Sequence, residues 1–364
     1  ACRFITPVTM QALSGRTVAL SQWDAGLPDN MAHIRLSRAA DAILLAPCSA
    51  NMIAQLAHGQ APELVSLTCL ARPAGTPLLI APAMNREMYA HPATRRNLAQ
   101  IAADGATVLG VGCGAQACGE TGDGRMLEPQ DLYEALVAHF TPKLLAGQQV
   151  LITAGPTYEA IDPVRGLTNL SSGKMGFALA RACQQAGAQV TLVAGPVHLP
   201  TPPHVRRGDV RSALEMLQAV QQHLPERGLF IATAAVADWR CAYIASQKLK
   251  KERNSTPPAL NLVENPDILA TVAQSPQAQS GALYCVGFAA ESENLCANAQ
   301  VKRLRKQVPL LAANIGTATF GQDDNALLLV DAQGTTDLPR ANKHQLARQL
   351  VAEIARRLPD TSSV

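Results

Sequence analysis

Along the whole chain, apolar runs long enough for one β-strand, and no longer, alternate with stretches of helical periodicity. That alternation restricts the chain to α/β folds with mostly parallel strands, because each crossover from strand to parallel strand needs a helix to cover the sheet. In the first part, residues 42–46, 78–81 and 106–109 read as strands, with helices near 51–58, 93–103 and 129–139. A short stretch containing Pro and Gly, 141–147, then reads as a linker. The rhythm restarts with a strand at 149–153, a helix at 174–186 and a strand at 189–193, followed by apolar runs at 229–233, 283–288, 309–312 and 326–330. A last helix places Leu346, Leu350, Val351, Ile354 and Leu358 on one face. At 364 residues the chain exceeds what one core usually serves. The expected architecture is α/β, two doubly wound Rossmann-like domains in series: residues 1–140, a linker over 141–148, and residues 149–364.

Composition narrows the partners. The longest apolar runs, such as 42–47 and 326–330, fall far short of the ~20 residues of a spanning helix, so no membrane partner is expected. A net charge of +3, with no basic stripe interleaved with aromatics, argues against nucleic acid and leaves small anions. Nine cysteines, at positions 2, 48, 69, 113, 118, 183, 241, 285 and 296, form no C-x-x-C and no Cys/His ligand spacing. They predict free thiols and a cytoplasmic location. The chain opens at Ala1 with neither an initiator Met nor an apolar signal sequence, which reads as a chain missing its beginning.

The densest candidate site lies at 169–176, NLSSGKMG, where a strand-to-helix connection opens the helix expected at 174–186. Ser171, Ser172, Gly173 and Gly176 are small enough for backbone N–H groups to approach an anion, and the helix N-terminus adds its dipole. Arg165 and Lys174 add formal charge. The same residues also read as an N-cap followed by a close-packing glycine, and they are not a Walker A loop. Asp238 ends the run AAVAD, where it suits a base, a ribose, a metal-bound phosphate or simply a turn. Lys248, Lys250 and Lys251 suit either a solvated loop or one that closes on a triphosphate. Lys302 and Lys306, one helical turn apart, either extend that field or solvate their helix.

The run AGPTYEAIDPVRGLTNLSSGKMG, followed in order by AAVADW, KLKK, ENPDIL and VGFAAES, resembles the phosphopantothenate-cysteine ligase domain of the bifunctional coenzyme A biosynthesis flavoproteins. The resemblance implies that 4'-phosphopantothenate attacks the α-phosphate of CTP to give an acyl-cytidylate and pyrophosphate, after which the amine of cysteine displaces CMP. Mg²⁺ would accompany the triphosphate. On the same resemblance, Asn169 and Arg165 hold the activated acyl-phosphate and Lys248 neutralises the triphosphate. Asp238, Pro266, Asp267, Ile268, Leu269, Phe288, Lys302 and Lys306 form the cytidine nucleotide site.

In the first domain, His33, the segment PAMNREMY around Asn85, and the Gly-rich run 112–126 containing Cys118 are the candidates for chemistry. The first two have plain alternatives: a structural histidine, and a turn Asn flanked by two core methionines. The Gly-rich run is expected to be no regular element but a mobile flap, whose Cys118 suits proton donation. HIRLSRAAD, APCSAN, PAMNREMY and ACGETGDGRM together resemble the homo-oligomeric FMN-dependent cysteine decarboxylases. That resemblance implies flavin oxidation of the substrate thiol to a thioaldehyde, loss of carbon dioxide, and return of the electrons to the enethiol, giving 4'-phosphopantetheine. It makes His33 the base, Asn85 the carboxylate-positioning residue and Cys118 the proton donor, with Ser49, Asn51 and Met84 against the flavin. Homo-oligomers are implied too, trimeric through the first domain and dimeric through the second.

Two departures stand out. Glu120 replaces the usual Asp of the flap, keeping its charge. Nothing before Phe4 supplies the strand and Gly/Ser-rich turn that cradle the FMN phosphate, so a partial flavin site is expected, with the decarboxylase activity the one put at risk. The rival classes are a nicotinamide oxidoreductase, disfavoured because no G-x-G-x-x-G follows an early strand, and a non-catalytic nucleotide sensor.

Overall fold

A computed structural model describes residues 2–23, 31–117, 119–250, 259–291, 293–315 and 322–358. The chain divides between Val137 and Ala138 into two compact units.

The second unit is built on an eight-stranded sheet. Its strand order is Arg206–Asp209, Gln189–Ala194, Gln149–Ala154, Gly228–Ala232, Leu283–Glu291, Leu310–Ile315, Asp324–Val330, Thr335–Asn342. The first six are parallel and the last two antiparallel. In order along the chain the parallel strands read 3-2-1-4-5-6, the doubly wound order, so the topological switch point falls between Gln149–Ala154 and Gly228–Ala232.

Both sheet faces are buried, which explains why these strands read as continuous apolar runs rather than alternating ones. Val150, Ile152, Leu192, Leu229, Ile231 and Leu310 pack on one face with the helices Lys174–Gln185 and Lys343–Arg357. Leu151, Val193, Phe230, Cys285 and Leu311 pack on the other with Ala213–His223, Ile268–Ala273 and Leu295–Lys306. Of the expected terminal-helix stripe, Leu346, Leu350, Val351 and Ile354 are buried and Leu358 is half-buried. Leu145, within the stretch expected to link the domains, is fully buried and donates its N–H to Ala186 O, while Lys143 Nζ reaches Gln185 O at 2.8 Å. This stretch therefore caps the end of the helix Lys174–Gln185.

The first unit holds a three-stranded parallel sheet, Ile43–Cys48, Leu78–Pro82 and Thr107–Val108 in that order. Ile53, Cys69 and Ile101 pack on one side of it, and Leu132 of the helix Pro129–Phe140 on the other. The helix Pro7–Ser14 buries no residue. The Gly-rich run, expected to be irregular, is instead an antiparallel hairpin, Gly112–Ala115 with Thr121–Arg125. Gly124 lies at φ +126°, and a Cβ there would sit 2.5 Å from Met84 O, so glycine is what lets the hairpin close on the neighbouring loop.

Candidate active sites

The connections leaving the two switch-point strands are knitted together. Ala235 donates its N–H to Gly155 O and accepts from Thr157 N–H, and Ala237 N–H reaches Thr157 Oγ1 at 3.0 Å. Asn169 Nδ2 donates to Ala235 O at 2.8 Å, which brings the predicted acyl-phosphate residue to the AAVAD turn across 66 positions of sequence. Gly173, the N-cap of the following helix, is left-handed at φ +74°, and an added Cβ would come within 3.4 Å of Gly155 Cα. A Cβ on Gly176 would lie 2.4 Å from Thr233 Oγ1 and 2.5 Å from Ala154 Cβ. The close-packing reading of Gly176 thus describes its role, and that packing sets the helix N-terminus beside the switch point.

Between the strand Gln149–Ala154 and the helix, the chain forms a small hairpin, Tyr158–Ala160 with Gly166–Thr168. Its turn carries Asp162, which is wholly inaccessible to solvent. Asp162 Oδ1 accepts the N–H groups of Val164 and Arg165, both at 2.8 Å. Asp162 Oδ2 accepts Arg165 Nε at 3.0 Å, Arg165 Nη2 at 2.6 Å and Leu249 N–H at 3.1 Å. Arg165 Nη2 also donates to Leu249 O at 2.6 Å. The Arg165 guanidinium, helped by the backbone donors, holds the Asp162 carboxyl well below the usual carboxylate range despite its burial. Lys248, whose carbonyl carbon is bonded to that Leu249 nitrogen, is exposed.

A second group lies toward the strand Leu283–Glu291. Asp267 caps the helix Ile268–Ala273 and pairs with Lys306. Burial lowers the pKa of Lys306, opposed by the negative charge of Asp238. Asp238 O accepts Asn265 N–H at 2.8 Å, and Asn265 Nδ2 in turn reaches Ala237 O. Lys302 lies 3.5 Å from Glu291. Ile268 belongs to the core at 4% exposure and Leu269 packs against it, so this segment offers a ligand mainly its backbone. Phe288 is partly buried against the opposite core face.

Apart from Asp267, sequence reasoning missed the carboxylates that hold these cations. Asp162 stands three residues before Arg165, a spacing visible in the sequence. Lys174 pairs with Asp323 at 2.6 Å across 149 positions, which no local pattern could show. A cavity of about 620 Å³, lined in part by Tyr158, Val197, Arg207 and Arg211, adjoins the loop, since Val197 Cγ1 lies 3.0 Å from the Cβ positions of Gly155 and Gly173. Sequence reading gave no sign of it.

In the first unit, Ser49 follows the strand Ile43–Cys48 and caps the helix Ala50–Ala57 through Met52 N–H, with Asn51 exposed in its first turn. Asn85 follows the strand Leu78–Pro82 and caps the helix Arg86–Ala90 through Glu87 N–H. Its Nδ2 donates to Glu120 Oε2 at 2.5 Å and to Gln116 Oε1 at 3.4 Å, so residues flanking the hairpin turn hold the amide. Met84 N–H donates to Gly124 O, and its side chain is partly buried against the core. Met88 is exposed, so of the two methionines read as core only Met84 has that place. His33 lies in the helix Ala32–Ala39, and its Nδ1 is buried with no partner among the described residues. Cys118 lies outside the described residues, as does Lys251.

A flavoprotein-type domain followed by a nucleotide-using doubly wound domain is the class these features define, and comparison with known proteins assigns it. The family model described as "Flavoprotein" matches residues 1–141, and "DNA/pantothenate metabolism flavoprotein C-terminal domain" matches residues 145–358. The coenzyme A biosynthesis bifunctional protein CoaBC of Vibrio cholerae is 48% identical over 347 residues, 94% of this chain and 86% of that one. The CoaBC of Escherichia coli is 46% identical over 359 residues, 97% of this chain and 87% of that one. The solved C-terminal domain of a CoaBC is 37% identical at a TM-score of 0.51, covering 59% of this chain and 98% of that one. A Cab2 structure, 16% identical at a TM-score of 0.51 over 62% of this chain and 92% of that one, shares the fold. The chain belongs to the family of bifunctional coenzyme A biosynthesis proteins.

Proposed function

We propose that this chain performs two successive steps of coenzyme A biosynthesis: CTP-dependent ligation of 4'-phosphopantothenate with cysteine, then FMN-dependent decarboxylation of the product to 4'-phosphopantetheine. The observation that carries the ligase assignment is the convergence, at one switch point, of the anion-type loop, Asn169 on Ala235 O, and Arg165 on the Lys248 segment. A carboxylate oxygen of phosphopantothenate attacks the α-phosphorus of CTP, the bond to the bridging oxygen breaks, and pyrophosphate leaves. The amine of cysteine then attacks the acyl carbon, CMP departs, and the amine proton is lost as the amide forms. Asn169 and the Nη1 edge of Arg165, which faces no hydrogen-bond acceptor among the described residues, hold the acyl-phosphate. Lys248 offsets charge on the triphosphate as pyrophosphate departs. Asp238, Asp267, Lys302 and Lys306 form the nucleotide's other border.

Among the described residues no group of three or more His, Cys, Asp or Glu side chains is placed to hold a metal. Mg²⁺ would accompany the triphosphate, held by its phosphates and water, the ligands that ion favours.

In the first unit, the orphaned His33 Nδ1 and the strand-end residues Ser49, Asn51, Met84 and Asn85 fit a flavin. FMN, when bound, supplies the two-electron chemistry that labilises the substrate carboxylate. Asn85, held by Glu120, orients that carboxylate, His33 takes a proton, and Cys118 returns one. A cytoplasmic homo-oligomer completes the proposal. The location is supported by the free state of the eight described cysteines, and the oligomer rests on the family resemblance.

The test is turnover by the purified chain. CTP consumption that requires both phosphopantothenate and cysteine, with CMP released, supports the ligase. Nucleotide binding without turnover would return the second unit to a sensor.

A further inference from the structure

We infer that Asp162 is the positioning residue that sets Lys248 for the ligation step, an inference that rests on the ligase reading above. The carboxylate is shut off from solvent, and all its recorded partners lie in two places: its own turn, and the Leu249 N–H adjoining Lys248. Arg165 completes a two-point hold, because the guanidinium fixed by Asp162 donates to Leu249 O. Both backbone polar groups of Leu249 are thus gripped by one ion pair across 84 to 87 positions of sequence. A further strand of the same hold is Ala245 N–H on Ile161 O.

The arrangement has a chemical logic. Lysine is a flexible point charge with about 2 kcal/mol of rotamer entropy, so its use at a developing negative charge depends on how firmly its backbone is held. Exposed side chains around Lys248 cannot supply that restraint, whereas a buried, charge-assisted bond to the next peptide N–H can. Arg165 and Lys248, two residues of the proposed machinery, are then placed relative to one another by a third that does not touch the substrate.

Two readouts test this. The Leu249 N–H that Asp162 accepts is the amide of the Lys248–Leu249 bond, a trypsin site. In Asp162→Asn, trypsin cleavage of the full chain at that bond, followed by mass spectrometry, should accelerate roughly tenfold or more, as expected when a charged hydrogen bond is lost. Cleavage after Arg206, on the far edge of the sheet, should hold steady. In ligase kinetics, Asp162→Asn should lower kcat by about the same factor, and in a Lys248→Gln background it should cost clearly less, only what loosening Arg165 costs, since the lysine it positions is already gone. If Asp162→Asn does not fold, Leu249→Pro removes the donor that the carboxylate accepts, at the cost of fixing φ at 249 and restricting Lys248, and should lower kcat comparably. Unchanged cleavage at Lys248–Leu249, or effects of Asp162→Asn and Lys248→Gln that multiply, would overturn the inference. Absence of CTP turnover in the unaltered chain would instead sink the ligase reading, and proteolysis alone would still decide whether Asp162 holds the segment.

Discussion

Gly176→Ala sets two opposing effects of known size against each other. In a helix interior, replacing Gly by Ala ordinarily stabilises by about 0.5–1 kcal/mol. Here the new methyl would lie 2.4 Å from Thr233 Oγ1, 2.5 Å from Ala154 Cβ and 3.2 Å from Ala154 Cα. Thr233 Oγ1 can rotate, but it would abandon its bond to Thr153 O. Ala154 cannot move without its strand, which is hydrogen-bonded on both sides. The helix Lys174–Gln185 must therefore lift, at an overpacking cost of about 1–3 kcal/mol or more. A net loss of about 1–2 kcal/mol is expected once helix propensity is subtracted, equivalent to roughly 2–8 °C in Tm for a unit of this size. Urea titration followed by Trp239 fluorescence, in a Trp23→Phe background that silences the other unit, measures it. Ligase kcat should fall as well, because the helix N-terminus moves with the lift. An equal or higher urea midpoint in Gly176→Ala would show that the helix is free to shift and that the glycine does not fix the loop.

Further substitutions probe the rest of the machinery. Lys248→Gln should lower kcat for ligation by roughly 10²–10³, the scale for loss of one charge-stabilising donor, while the urea midpoint stays unchanged. Glu120→Gln should weaken the hold on the Asn85 amide and lower decarboxylation about tenfold, read as carbon dioxide release from phosphopantothenoylcysteine. Because the folded pKa of Asp162 is depressed, its contribution to stability is present above its ordinary value near 3.8 and is lost as pH falls below it. The acid limb of a stability-against-pH curve should accordingly be shallower below about pH 4 in Asp162→Asn. Burial pushes the thiols of Cys48, Cys183 and Cys285 up to about 12, so brief alkylation at pH 8 should mark Cys2, Cys113 and Cys296 and spare those three.

The parts of the fold legible in sequence are those buried on both sides. The strand Gln149–Ala154 and its parallel neighbours carry unbroken apolar runs because helices cover both faces. The strand Arg206–Asp209 was not legible, since an edge position lets it read as four polar or small residues. The outermost strand Thr335–Asn342 even contains Pro339, which only an edge tolerates. The hairpin near Asn85 was hidden by its own glycines, of which Gly124 serves close approach to Met84 rather than irregularity. For the site, cations and the amide Asn169 announced themselves by type and spacing. Their partners did not, because Asp323 meets Lys174, and Leu249 meets Asp162, only through the fold.

Those partners change the electrostatic picture of the proposed nucleotide site. Lys174 is engaged by Asp323, Arg165 by Asp162, Lys306 by Asp267 and Lys302 by Glu291. Each of these four cations is thereby charge-balanced by a carboxylate before the proposed triphosphate arrives. The carboxylates fix the geometry of each cation, so a phosphate meets side chains already oriented. The balance also limits ground-state attraction, since an incoming phosphate gains at each cation only the surplus over an existing pair. Lys248 differs, being exposed with no ion-pair partner among the described residues. In the proposed reaction its full charge is available to the departing pyrophosphate, and interactions strengthened in the transition state raise kcat rather than affinity. Placing that residue by a buried carboxylate acting on the backbone, instead of by an ion pair on its ammonium, is the arrangement that keeps the charge unspent.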